Sequence, residues 1–205
     1  DYCFNNMVGI LFSMSANPVG ALDLNGHDQR VYKLANIANN DPPKYCVIRS
    51  ATPATLTLRP PNKNNYTVNM PVRFDGKVSM VFDPQSTAVQ ITNSFVAAAS
   101  DEGTETLLST SSGKLSVKAG TLALTRGWGW GGDVEISGGA LLCESPVSLS
   151  TGRGMLAVSG SGKLFIGEGV TLNVTSAMIG NATLERYRTY TVAELNELDL
   201  GETTV

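Results

Sequence analysis

Gly113-Lys-Leu-Ser-Val117, Gly120-Thr-Leu-Ala-Leu124, Gly139-Ala-Leu-Leu-Cys143, Gly154-Met-Leu-Ala-Val158, Gly162-Lys-Leu-Phe-Ile166 and Val170-Thr-Leu-Asn-Val174 follow one another along the chain. Each unit opens on a small or β-branched residue and continues with apolar residues at alternate positions. Short strands of similar size at short spacing, broken by glycine, mark a chain that coils on itself instead of closing around one core. Alternation places Leu122, Leu124, Leu141, Leu156, Val158, Leu164, Ile166, Leu172 and Val174 inside the coil, with Ser116, Thr125, Ser159 and Asn173 toward solvent. The strands at Leu115 and Leu122 recur at Val134 and Leu141, about 19 residues on, and Ser-Gly-Lys-Leu at Ser112 returns at Ser161, about 49 residues on. Coils of roughly 20 to 25 residues follow from these periods.

Outward from this stretch the same texture continues. Leu22 and Leu24 alternate with polar neighbours, Asn25-Gly26 supplies a turn, and Val31 restarts a strand. Further strands are expected at Cys46 to Ile48, Ala54 to Leu58, Tyr66 to Met70, Val78 to Phe82 and Ala88 to Ile91, divided by Pro, Gly, Asn and Asp clusters. Phe95 to Glu105 reads as a loop, being too short and too near Gly103 for a stable helix. Thr191-Val-Ala-Glu-Leu-Asn-Glu-Leu198 carries an N-cap threonine with glutamate three residues later, so a short helix is expected there, seated on the last coil as a lid. The fold expected is all-β: a single-stranded right-handed parallel β-helix, or β-solenoid, with a short C-terminal cap. It forms a single domain over 1–205, with an N-terminal coil and cap (1–40), irregular coils (41–110), regular repeat coils (111–180) and a C-terminal cap (181–205). This domain reads as a segment of a longer protein.

The 205 residues are 42% apolar and only 16% charged, with a formal net charge of −3 and one histidine. That balance excludes the clustered basic face by which proteins hold nucleic acid or anionic membrane. No apolar run approaches the roughly 20 residues that span a bilayer as a helix. Met7 to Met14 lacks a basic leading segment and follows Asp1, so it does not read as a signal peptide; an exported protein would carry its signal elsewhere or have lost it. Cys3, Cys46 and Cys143 are far apart and lack metal-ligand spacing. One disulfide with one free thiol is open to them, although three small buried hydrophobes is the preferred reading.

The stretch Leu22-Asp-Leu-Asn-Gly-His-Asp-Gln29 resembles the opening of the autotransporter-associated β-strand repeat. Ile91-Thr-Asn-Ser94, Gly120-Thr-Leu-Ala-Leu124 and Ser137-Gly-Gly-Ala-Leu141 resemble its later elements, and Tyr190-Thr-Val-Ala-Glu-Leu-Asn196 is similar to the tail after its last strands. The resemblance implies a passenger-type right-handed parallel β-helix in secreted or outer-membrane-exported bacterial proteins, and no enzymatic activity. Pro42-Pro43 and Pro60-Pro61 depart from the pattern by interrupting expected strand, and no C-terminal membrane barrel or sorting anchor is visible.

Several residues invite chemistry. Trp128-Gly-Trp130-Gly-Gly132 would offer a platform for stacking on a sugar ring if exposed, or would cap the solenoid core if packed. Trp128 and Trp130 are therefore the candidate glycan-binding residues. Asp133 with Glu135, and Asp101 with Glu102 and Glu105, are pairs that could cleave a glycosidic bond, Arg126 and Arg153 being the nearby basic residues; solvated acids on a strand face are the commoner case. His27 sits in a turn without a serine-nucleophile elbow and reads as a surface histidine. Asn65-Tyr-Thr67, Asn173-Val-Thr175 and Asn181-Ala-Thr183 match the N-glycosylation pattern, which arises by chance in a chain rich in Asn and Thr. No catalytic residue, metal ligand or cofactor is expected. The functional expectation is a non-catalytic scaffold or adhesin-like segment, secreted or at the cell surface. Its partner would be a host or environmental glycan or a surface protein, and it would reach the outer membrane only through other parts of the full-length protein. The alternatives are a glycan-binding module and a polysaccharide-cleaving β-helix enzyme.

Overall fold

The computed structural model describes residues 9–12, 19–36, 45–60, 66–68, 72–87, 90–93, 111–124, 128–144, 146–150, 154–186 and 188–198. In chain order these form β1 (Gly9–Phe12), β2 (Val19–Asp23), β3 (Gln29–Val31), β4 (Lys33–Asn36), β5 (Tyr45–Leu58), β6 (Tyr66–Val68), β7 (Val72–Phe82), β8 (Gln90–Asn93), β9 (Leu115–Val117) and β10 (Thr121–Leu124). There follow β11 (Trp128–Trp130), β12 (Val134–Ile136), β13 (Ala140–Cys143), β14 (Val147–Leu149), β15 (Leu156–Val158), β16 (Lys163–Ile166), β17 (Leu172–Val174), β18 (Ala177–Ile179), β19 (Ala182–Thr183) and α1 (Val192–Asn196).

Three sheets make the walls of a parallel β-solenoid. A nine-stranded sheet holds β2 and β3 on β5, then β7, β9, β12, β15, β18 and β19; a five-stranded sheet runs β6-β8-β10-β13-β16; and a three-stranded sheet runs β11-β14-β17. A separate pair joins β1 to β4. Every pairing is parallel except that of β18 with β19. In the regular zone each coil contributes one strand to each sheet, so like residues stack in columns. Leu115, Val134, Leu156 and Ala177 form one column, and Val117, Ile136, Val158 and Ile179 another. None of these eight is more than 2% exposed. On the second wall Leu122 stacks on Leu141 and Leu164, and Leu124 on Cys143 and Ile166. Burying each such aliphatic side chain stabilises the fold by about 1.5–3 kcal/mol, so these columns dominate its energetics.

The expected spacing of about 19 residues is the step between the first two regular coils, since Val134 pairs with Leu115 and Leu141 with Leu122, and the later steps, Val134 to Leu156 and Leu156 to Ala177, fall within the expected range of roughly 20 to 25. The longer recurrence is not a coil alignment. Lys114-Leu115 leads into the nine-stranded sheet, whereas Lys163-Leu164 lies in the five-stranded one. No column joins the two segments.

Elsewhere the structure sharpens or corrects the expectations. The two strands around Asn25-Gly26 are present, with positive φ at both turn residues and the Gly26 N–H donating to the buried Ser50 hydroxyl at 3.0 Å. Cys46 to Ile48 and Ala54 to Leu58 are not separate strands but one, β5. The chain turns the corner while extended, and the register to β7 shifts between Ser50 and Ala54, where Pro53 avoids the ladder. Strand β7 begins earlier than expected, at Val72, for the same reason. Ser116, expected in solvent, is 6% exposed, because Val81 and Glu135 flank it in the neighbouring coils. Strand β5 ends just before Pro60, as the Pro60-Pro61 interruption implies. Pro42-Pro43, Cys3, Thr125 and the Phe95 to Glu105 loop lie outside the described residues. Cys46 and Cys143 are buried, which agrees with the reading as small hydrophobes.

Candidate functional site at the open end of the solenoid

Of the two readings open to the Trp-Gly-Trp segment, a stacking platform and a packed corner, Trp130 takes the packed one. Its ring is fully buried, with its centroid 5.4 Å from that of Phe74 at an interplanar angle of 56°, and its indole N–H donates to the Gly113 carbonyl at 2.9 Å. It begins a column continued by Leu149 and Val174. A side chain so enclosed has no face for a sugar. Its polar edge is matched within the fold, as a buried indole requires. The Trp128 backbone pairs with Val147 in β14, and its side chain lies outside the described residues.

Asp133 and Glu135 are engaged by the neighbouring coils. The Asp133 carboxylate accepts from the Met155 N–H at 3.0 Å, and Glu135 pairs with Lys114 at 2.9 Å. Hydrogen bonding to Glu135, ahead of its charge, raises the Lys114 pKa above its ordinary value. Both partners are well exposed, so the pair contributes about 0–1 kcal/mol. Further along the same wall Arg49 pairs with Asp23 at 3.1 Å and Arg73 with Asp75 at 2.7 Å. Asp101, Glu102, Glu105, Arg126, Arg153 and Asn65 lie outside the described residues. His27 is exposed, and its backbone N–H closes the turn onto the Leu24 carbonyl at 2.9 Å. Asn173 and Asn181 are exposed. Burial pushes the Cys143 thiol up to about 12, which leaves no thiolate for nucleophilic chemistry. Among the described residues no group of three or more His, Cys, Asp or Glu is placed to hold a metal ion.

A concave feature among the described residues lies at the C-terminal end. There the nine-stranded sheet is closed by β19, which turns back antiparallel on β18, while β16 and β17 are the last strands of their sheets. From β19 the chain crosses the open end to α1. Between this tail and the last coil is a cavity of about 870 Å3, walled by Leu164, Ile166, Leu172 and Val174 on one side and Leu184 and Leu195 on the other. The side chain of Leu195 is 5% exposed and joins the core cluster, so α1 sits as the expected lid.

The lid is fastened by a polar network that includes the expected capping box. The Thr191 hydroxyl accepts from the Glu194 N–H at 3.2 Å, and the Glu194 carboxylate accepts from the Thr191 N–H at 2.8 Å. Arg188 donates to Glu194 at 3.1 Å and stacks 4.6 Å from the Tyr190 ring centroid, while the Tyr190 hydroxyl accepts from the Glu185 N–H. The Thr191 backbone, then its hydroxyl, then Arg188 hold the Glu194 carboxyl below its ordinary pKa of 4.5. A lowered folded-state pKa means that the contribution is fully present above the ordinary value and is lost as pH falls through the lowered one. The Thr191 amide proton resonance should therefore titrate with a midpoint below 4.5. A midpoint above 4.5, or an unchanged titration in Glu194→Ala, would contradict this.

Reading the sequence missed this cavity. Its signal is an absence: between Val174 and Leu198 no unit repeats the second and third strands of a coil. No helix among the described residues is long and apolar enough to cross a membrane. No protein-family model, curated protein or solved structure matches the chain. The chain forms a parallel β-solenoid, the fold that the resemblance implies.

Proposed function

We propose that the chain is a non-catalytic β-solenoid scaffold of an exported bacterial protein, presenting a rigid surface outside the cell. The observation that supports this reading is the use made of its outward charges. Asp23 with Arg49, Lys114 with Glu135, and Asp133 with the Met155 N–H each tie one strand or coil to another, and Arg73 pairs with Asp75 along β7, instead of converging on a cleft. A surface so committed suits display and spacing, since solenoids offer an extended face whose length grows coil by coil. On this reading the partner is a surface protein or glycan, and attachment to the outer membrane comes through other parts of the full-length protein.

Limited proteolysis of intact cells expressing the full-length protein tests the location. Peptides from this segment should be released before lysis; their appearance only after lysis would remove the reading.

A further inference from the structure

The open edge at the C-terminal end carries a binding function independent of where the protein resides. We propose that β16 and β17 receive an extended peptide of a partner protein by strand addition, with apolar side chains at alternate positions entering the cavity beneath the α1 lid.

Two observations at the edge point to a strand. First, β16 and β17 each end a sheet, so one side of each backbone has no ladder partner among the described residues. An unpaired edge is a template for another strand. Second, the columns lose burial there. Cys143, Val147 and Leu149 are 0–1% exposed, yet their successors Ile166, Leu172 and Val174 are only partly buried. Backbone and side chains therefore lack the same thing, a further strand in register.

The closed third wall decides what kind of strand. A second copy stacking coil upon coil would have to pair its first sheet on β18, and β19 already occupies that edge. Strands along β16 and β17 meet no such obstacle, and the cavity of about 870 Å3 lies along them. The rim mixes Glu168, Glu185, Arg186 and Arg188, so it selects no single charge, and recognition falls to the backbone and the alternating apolar residues.

A peptide of residues 139–149 of this chain, with Cys143→Ser and a fluorescent label, is a suitable probe. It carries the β13 and β14 pattern that already pairs with the other edge of β16 and β17. Fluorescence anisotropy should show saturable binding, and a scrambled peptide should bind at least about ten-fold more weakly. In a strand only every second N–H faces a given neighbour, so N-methylation of one alternate set should abolish binding and N-methylation of the other should spare it. That contrast requires no change to the protein, while Leu172→Lys should weaken binding about ten-fold or more. Equal binding of both methylated peptides, or of the scrambled one, would overturn the proposal. So would concentration-dependent self-association of the protein alone that the peptide does not disperse, since the occupant would then be a second copy.

Discussion

Trp130→Ala is expected to destabilise the protein by about 3–5 kcal/mol, the range for deleting a large aromatic from a packed core. The ring is wholly enclosed, packs against Phe74 of a neighbouring coil, and heads the column that continues through Leu149 to Val174. Its loss removes apolar burial and leaves a cavity at the corner where the three-stranded sheet begins. The Gly113 carbonyl loses its donor as well. Trp130→Phe separates these contributions: it keeps most of the ring burial and removes the hydrogen bond, for a smaller loss of about 0.5–1.5 kcal/mol from that bond. Urea denaturation followed by tryptophan-independent circular dichroism measures both. A midpoint for Trp130→Ala within error of the parent would refute the packing role and reopen an exposed one.

The second large effect is expected at Gly132, one of three glycines stacked at the same corner. A Cβ at Gly132 would overlap the Gly113 carbonyl oxygen and stand 2.9 Å from the Ser112 backbone; a Cβ at Gly154 would overlap the Gly132 carbonyl. Each obstacle is main chain of the preceding coil, which yields only if the coils move apart. Gly132→Ala should therefore cost at least about 1–3 kcal/mol, the range for overpacking a closed interior. Gly169→Ala is the control. With φ +71° and open space around it, an alanine at position 169 meets only the steric strain of the left-handed backbone, about 1–2 kcal/mol. Equal midpoints for the two variants would show that the glycine column is not required for close coil contact.

The architecture was legible because its signal is local and repeated. A strand in a solenoid pairs with the next copy of itself, so the alternation at Leu122-Ala-Leu124 and Leu141-Leu-Cys143 gives both the strand and its partner. The capping box at Thr191 and Glu194 was legible for a related reason, since all its atoms lie within one helical turn. The corners were less legible. Nothing local distinguishes two short strands from one strand bent at a register shift, as in β5, because the difference lies in how the next coil pairs.

The candidate site was the least legible part, and Trp130 shows why. Glycine-flanked indoles are compatible with a loop platform and with a packed corner. What decides is whether Phe74, distant in sequence, comes to lie against the ring, and that depends on the stacking of β7 under β9. The open edge of β16 and β17 is likewise a property of the assembled coils. It exists because β19 folds back on one wall while the chain leaves the other two uncovered.

By itself, then, the sequence determined the all-β class, the coil step of the regular zone and the helical cap, since each is written in contacts between neighbours or between successive copies. Only the tertiary structure decided that Trp130 is core, that Lys114 pairs with Glu135 across coils, and that the solenoid ends in an apolar cavity beside two free edges. Those features depend on which residues the stacking brings together across distant parts of the chain, and a one-dimensional pattern does not hold that information.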